Sequence, residues 1–206
     1  MKYVIGVIVL LAIVWFFMLR DTTHDVTDYP RKEGPIVAVG DSLVSGAGTT
    51  PGNTFVDVLS RRIDEEIVNL GVAGDTSAGV LMRIREIEAL EPRLVILLVG
   101  GNDALRRIEP EDTFNNLNTL IEVLQANDTA VLLIGITGGI SYGKRYEREF
   151  EVLAEKQGVA YVPNILSGLI GRAQYMADTI HPNDVGHKII ADKIEPKLRI
   201  LLETDK

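Results

Sequence analysis

Leu94-Val95-Ile96-Leu97-Leu98-Val99-Gly100 is an unbroken apolar run. A strand with one wet face alternates apolar and polar residues. This one does not alternate, so both of its faces must meet packed side chains. Such strands lie at the centre of parallel sheets, whose crossover connections lay helices over both faces. The flanking sequence agrees. "IVAVG" (36–40), "IVNL" (67–70), "AVLLIGIT" (130–137) and "VAYVP" (159–163) read as four further strands. Between them lie amphipathic stretches with apolar residues at helical spacing. Phe55, Val58, Leu59 and Ile63 mark one helix, with Asn53 or Thr54 as its cap. Leu81, Ile84 and Ile87 mark another over 77–90, and Phe114, Leu117, Leu120, Ile121 and Leu124 a third over 113–126. Tyr146, Phe150 and Leu153 mark a fourth, and a last helix from about Asn183 is predicted to kink or break near Pro196. The alternation predicts an α/β sandwich around a five-stranded parallel sheet.

Ligands of such sheets bind beyond the carboxyl ends of the strands. The residues to weigh are therefore those just after each apolar run. Strand one ends in Val39-Gly40-Asp41-Ser42-Leu43, which presents an acid and a hydroxyl. A serine hydroxyl attacks poorly unless a base takes its proton. The chain has three histidines. His24 lies in a polar segment near the N-terminus, and His187 falls inside the last helix, where a surface or half-buried side chain is expected. His181 stands in a loop beyond the strand ends, three residues after Asp178. At that spacing a tight turn can bring the carboxylate to one imidazole nitrogen and leave the other free to accept a proton. His181 is the candidate base and Asp178 its orienter. Oxyanion donors are also needed. Gly74 lies in the glycine-bearing turn after strand two, and Asn102 carries an amide in the "GGND" turn (100–103) after strand three. Asp103 is expected to cap the turn that follows.

These stretches carry a resemblance. "GDSL" (40–43), "NLGVAGDT" (69–76), "GGND" (100–103) and "DTIHPN" (178–183) resemble, in order and spacing, the four blocks of the SGNH (GDSL) hydrolase superfamily. Within it the chain looks like the bacterial thioesterase I / lysophospholipase L1 and arylesterase group, a similarity that extends to 100–117 and 142–151 and covers most of residues 35–200. The resemblance implies a flavodoxin-like three-layer α/β/α sandwich with strand order 2-1-3-4-5. It implies Ser42 as nucleophile, His181 as base, Asp178 as orienter, and an oxyanion hole from the Ser42 N–H, the Gly74 N–H and the Asn102 side chain. The implied activity is hydrolysis of carboxylic esters or thioesters through an acyl-enzyme, without cofactor or metal. The partner is a small acyl ester or a lipid, and the residues of the acyl pocket are unknown. An imidazole base of ordinary pKa, about 6.5, predicts a rate that rises through neutral pH.

Two alternatives remain at this level. One is an O-acetyl esterase acting on cell-envelope carbohydrate. The other is a non-catalytic binding module on the same fold. A rival nucleophile also exists, since Gly139-Ile140-Ser141-Tyr142-Gly143 matches G-x-S-x-G. Against it, Gly138, Gly139 and Ile140 separate the serine from its strand, and "VGDSL" and "GGND" would be left without a role. Arg106, Arg107, Lys144 and Arg145 are expected near the mouth as solvated surface, or as an attraction for anionic headgroups.

The whole chain sets wider limits. It has 206 residues, 46% hydrophobic and 24% charged, with a net charge of -8, which argues against a nucleic-acid partner. It contains no cysteine, which removes disulfides, thiolate metal sites and a cysteine nucleophile. Scattered histidines give no metal-ligand spacing. From Tyr3 to Leu19 the chain is uncharged and apolar, about long enough to cross a hydrocarbon core of roughly 30 Å. No small-x-small site follows, so an uncleaved anchor is preferred to a signal peptide. Residues 1–20 are thus expected as one N-terminal transmembrane helix, 21–34 as a tether, and 35–206 as the hydrolase domain. Lys2 favours an inside N-terminus, which places the domain on the extracytoplasmic (periplasmic or cell-surface) side.

Overall fold

The computed structural model describes residues 26–137 and 139–203, with the backbone alone at 139–141. Five parallel strands form one sheet: β1 (Ile36–Gly40), β2 (Ile67–Gly71), β3 (Leu94–Leu98), β4 (Ala130–Ile134) and β5 (Ala160–Val162), in the order β2-β1-β3-β4-β5. That is the order the resemblance implied. Every residue of β1, β3 and β4 is buried, as the unbroken apolar runs require, whereas the edge strands β2 and β5 are only partly so.

The helices are α1 (Ser42–Ser45), α2 (Phe55–Ile63), α3 (Ser77–Met82), α4 (Ile84–Glu88), α5 (Gly101–Leu105), α6 (Pro110–Ala126), α7 (Gly139–Gln157) and α8 (Asp184–Glu203), with a 3-10 turn at Ala173–Tyr175. Helix α2 packs on α8, while α6 packs between α3 and α7, which gives the two outer layers. Helix α2 starts from a capping box: the Thr54 hydroxyl accepts the Asp57 N–H at 3.0 Å, and the Asp57 carboxylate accepts the Thr54 N–H at 2.9 Å.

Three boundaries differ from the sequence reading. The single helix expected over 77–90 is two, because Arg83 leaves helical geometry (φ -106, ψ 20). Its guanidinium reaches Asp75 at 2.8 Å and the Leu70 carbonyl at 2.9 Å. Helix α8 is not interrupted at Pro196 but runs through it. Last, residues 26–34, expected as part of a tether, lie against the domain. The backbone N–H of Thr27 donates to the Gly158 carbonyl at 2.9 Å, the Asp28 carboxylate accepts the Val131 N–H at 2.9 Å, and Val26 and Tyr29 pack on the core.

Among the described residues no helix is long and apolar enough to cross a membrane. The anchor expected over 1–20, and His24 with the start of the tether, lie outside the described residues.

Candidate active site

Two glycines let the nucleophile turn form. A Cβ on Gly40, the last residue of β1, would stand 1.9 Å from the Leu98 carbonyl oxygen, and a Cβ on Gly71, the last of β2, would stand 2.1 Å from the Ser45 nitrogen. Without those side chains α1 settles onto the ends of β1 and β2. Asp41 caps it by accepting the Leu43 N–H at 3.0 Å. Ser42 is the first residue of the turn and points toward the loop that precedes α8.

That loop is a compact device. The Asp178 carboxylate accepts the backbone N–H of Ile180 at 2.8 Å and of His181 at 2.7 Å, and its second oxygen lies 2.7 Å from His181 Nδ1. His181 Nε2 lies 3.1 Å from Ser42 Oγ. The hydrogen bond from His181, with help from the two backbone N–H groups, holds the Asp178 carboxyl down at about 2. The structure thus brings together three groups whose sequence positions span 42 to 181. Such a line can pass the serine proton to the imidazole while the carboxylate fixes the ring. Gly48 packs the two sides together: a Cβ there would stand 3.1 Å from His181 Cβ. Asp184 adds a clamp, accepting the Thr50 N–H at 2.8 Å and the Thr50 hydroxyl at 2.7 Å.

Asn102 lies beside the nucleophile turn. Its amide donates to the Asp75 carbonyl at 2.9 Å and lies 3.4 Å from an Asp41 carboxylate oxygen. It stands between the residue before Ser42 and the residue after Gly74. Gly74 has φ +82, and its carbonyl accepts the Arg106 guanidinium at 2.7 Å. Arg106, exposed like Arg107, Lys144 and Arg145, is therefore attached to the Gly74 loop.

Ser141 lies in the backbone of α7, separated from the end of β4 by residues 135–140, with Gly143 breaking the helix at φ 32. A nucleophile elbow needs the strand to run straight into the serine, and this backbone does not.

Two expectations are corrected. His187 is neither at the surface nor half-buried: it is fully buried, its Nδ1 accepts the Phe55 N–H at 3.1 Å, and its ring stacks on Phe55. Burial pushes its pKa down to about 4. Asp103 caps no exposed turn. It is fully buried and accepts hydrogen bonds from Ser77. Sequence reasoning also passed over Asp41 as a titrating group. Burial pushes its carboxyl up to about 6, against the pull of the Leu43 N–H. Its place in the quoted stretch was visible, but its burial depends on Asn102 and Gly101, far along the chain. Among the described residues no three His, Asp or Glu side chains converge to hold a metal ion.

The profile of the GDSL-like Lipase/Acylhydrolase family matches residues 38–189. Esterase TesA of Pseudomonas aeruginosa is 34% identical over 178 residues, covering 81% of this chain and 89% of that protein. Thioesterase 1/protease 1/lysophospholipase L1 of Escherichia coli (strain K12) is 29% identical over 178 residues, covering 82% and 86%. Among solved structures, the psychrotrophic esterase EstA from Pseudoalteromonas sp., inhibited by monoethylphosphonate, superimposes with a TM-score of 0.75 at 26% identity, covering 83% of this chain and 100% of that one.

Proposed function

This chain belongs to the GDSL-like lipase/acylhydrolase family, and from that membership we propose that it is a serine esterase working through an acyl-enzyme on Ser42. The carrying observation is the continuous line from Ser42 Oγ to His181 Nε2 at 3.1 Å and from His181 Nδ1 to Asp178 at 2.7 Å. In this reading His181 takes the Ser42 proton as the hydroxyl attacks the ester carbonyl. The Ser42 and Gly74 N–H groups and the Asn102 amide receive the oxyanion. His181 returns the proton to the departing alcohol or thiol, and water activated by the same base then hydrolyses the acyl-enzyme. Asp178, with its carboxyl held at about 2, stays ionised throughout and supports the imidazolium.

The substrates proposed are acyl esters and thioesters of the arylesterase, thioesterase and lysophospholipase kind. The names of the two relatives, an esterase and a thioesterase/lysophospholipase, support ester and thioester substrates. The apolar run from Tyr3 to Leu19 and Lys2 before it support a membrane anchor over 1–20, with the catalytic domain over 35–206 on the extracytoplasmic side.

The test assays p-nitrophenyl esters from acetyl to palmitoyl with a chain begun at Asp21. Ser42→Ala and His181→Ala are expected to lose on the order of 10⁴-fold in kcat. Ser141→Ala should match the parent. Activity that survives Ser42→Ala and vanishes in Ser141→Ala would overturn the site. A sharp preference for acetyl would move the reading to an O-acetyl esterase.

A further inference from the structure

Asn102 and Asp103 are adjacent in α5, and each holds a point just after Gly74, on the α3 side of its loop. Asn102 donates to the Asp75 carbonyl at 2.9 Å. Asp103 takes the later point: one carboxylate oxygen accepts the Ser77 N–H at 2.9 Å and the other accepts the Ser77 hydroxyl at 2.5 Å. Asp103 and Ser77 are both fully buried. The Thr113 hydroxyl, 3.4 Å from the same carboxylate, and the Asn116 amide, 3.0 Å from Ser77 Oγ, extend the network into α6. Tyr146 of α7 closes it through Thr113 at 3.2 Å. A buried carboxylate is costly unless its oxygens are satisfied. Here the satisfying donors come from the start of α3, immediately after the Gly74 loop.

The consequence is geometric. Oxyanion donors help only when they are already set at the right separation before charge develops. The Gly74 N–H sits on a glycine with φ +82, in a loop whose Val72 and Ala73 are exposed. Asn102 uses one amide hydrogen on the Asp75 carbonyl and turns the other toward an Asp41 carboxylate oxygen at 3.4 Å, a longer contact that an oxyanion can displace. The distance between the two donors is then set by how α5 is fixed to the loop, and Asp103 is the buried part of that attachment. We propose that Asp103 is the positioning residue of the oxyanion hole, locking the Gly74 loop to Asn102 through its paired hydrogen bonds to Ser77. This rests on the esterase reading above, in which Gly74 and Asn102 receive the oxyanion.

Asp103→Asn tests it. An amide keeps one acceptor for the Ser77 N–H but can only donate to the Ser77 hydroxyl, so the charge-assisted bond that locks the loop gives way to a weaker, reversed one while the side chain keeps its size. With a p-nitrophenyl ester, kcat should fall roughly 100-fold with KM changed less than threefold. Affinity for an alkyl boronic acid, whose serine adduct carries the tetrahedral anion, should fall by the same factor. Ser77→Ala removes the hydroxyl bond and keeps the N–H bond, so it should give about a tenfold loss in both readouts. It also serves if Asp103→Asn fails to fold. Asn116→Ala, which removes a donor to Ser77 Oγ but leaves both Ser77–Asp103 bonds in place, should leave both readouts within threefold. A purely structural role for Asp103 would lower the melting temperature with kcat intact in the folded fraction, and that outcome overturns the proposal. So would a kcat loss without a matching loss of boronate affinity. Ser42→Ala assayed beside them separates the two levels: if it stays active, the esterase reading fails and the proposal falls with it.

Discussion

His187 folds without a charge. Its Nδ1 accepts the Phe55 N–H, so the ring proton sits on Nε2, a buried atom with no hydrogen-bond partner among the described residues. A second proton would add charge to a fully buried ring, and burial accordingly pushes the pKa down to about 4. In the unfolded chain the same ring titrates near 6.5, so below that pH the open chain binds more protons. The stability His187 contributes is complete above about 6.5 and lost as pH falls toward 4, about 3 kcal/mol in all. Asp41 works in the opposite direction. Its carboxyl titrates at about 6 in the fold against 3.8 outside it, so it favours the fold in acid and costs about 3 kcal/mol as pH rises through 6. The two offset each other between pH 4 and 6, and the parent curve there should be shallow. Single variants expose the terms. Urea unfolding from pH 7 to 4 should show His187→Asn gaining about 3 kcal/mol relative to the parent on acidification, and Asp41→Asn losing a similar amount. Parallel curves for all three would refute the assignment. Neither role could be read from the sequence. His187 is buried by Phe55, more than a hundred positions away, and helical spacing alone leaves its face undecided.

Helix α1 depends on its neighbours more than on itself. Four residues carry too few hydrogen bonds to hold a helix, and no hydrophobic period marks it in the sequence. It exists because Asp41 caps it and because Gly40 and Gly71 leave room for it. Gly71→Ala would drive a methyl group to 2.1 Å from the Ser45 nitrogen, and backbone cannot swing aside as a side chain can. The turn must lift, carrying Ser42 away from His181. A displacement near 1 Å at a reacting group costs on the order of 100-fold. Gly71→Ala should therefore lose ten- to a hundredfold in kcat with p-nitrophenyl esters. Gly52→Ala, with nothing within 4 Å but φ +81, should lose about 1 kcal/mol of stability and no activity. Equal kcat in the two variants would show that α1 is not held by this fit. The same contrast explains what was legible. The long periodic stretches gave the strands, their order through the resemblance, and the helices over 55–63 and 110–126 nearly in place. The break at Arg83 was invisible because its cause is a guanidinium reaching Asp75 and the Leu70 carbonyl, contacts outside the helical period. Ser42, Asn102, Asp178 and His181 could be picked out because the sheet's polarity assigns chemistry to the strand ends. The carboxylates beneath them, Asp41 and Asp103, could not, since their meaning lies in what buries them.

At the scale of the molecule, the two ends of the sheet carry different work. Ser42, Gly74, Asn102 and His181 all follow the carboxyl ends of strands. Residues 26–34 lie at the other end, where Asp28 accepts the Val131 N–H at the start of β4 and Thr27 donates to Gly158 just before β5. Lys32 reaches the Asn127 carbonyl at 2.6 Å, and Arg93 returns to the Gly34 carbonyl at 2.8 Å. Five-residue strands separate the ends by about 17 Å, too far for a change at one to reset hydrogen-bond geometry at the other without unfolding the sheet between them. The segment should therefore matter for stability and not for rate. Asp28→Ala leaves the Val131 N–H buried without its acceptor, which costs about 1–3 kcal/mol. A chain begun at Pro35 loses that bond together with the packing of Val26 and Tyr29, and should unfold at clearly lower urea than one begun at Val26. In the folded baseline, kcat on p-nitrophenyl butyrate should agree within twofold for all three. Equal urea midpoints for the chains begun at Val26 and Pro35 would restore 21–34 as a plain tether. A drop in kcat without a drop in stability would mean that the amino end of the sheet communicates with the site through a route these contacts do not provide.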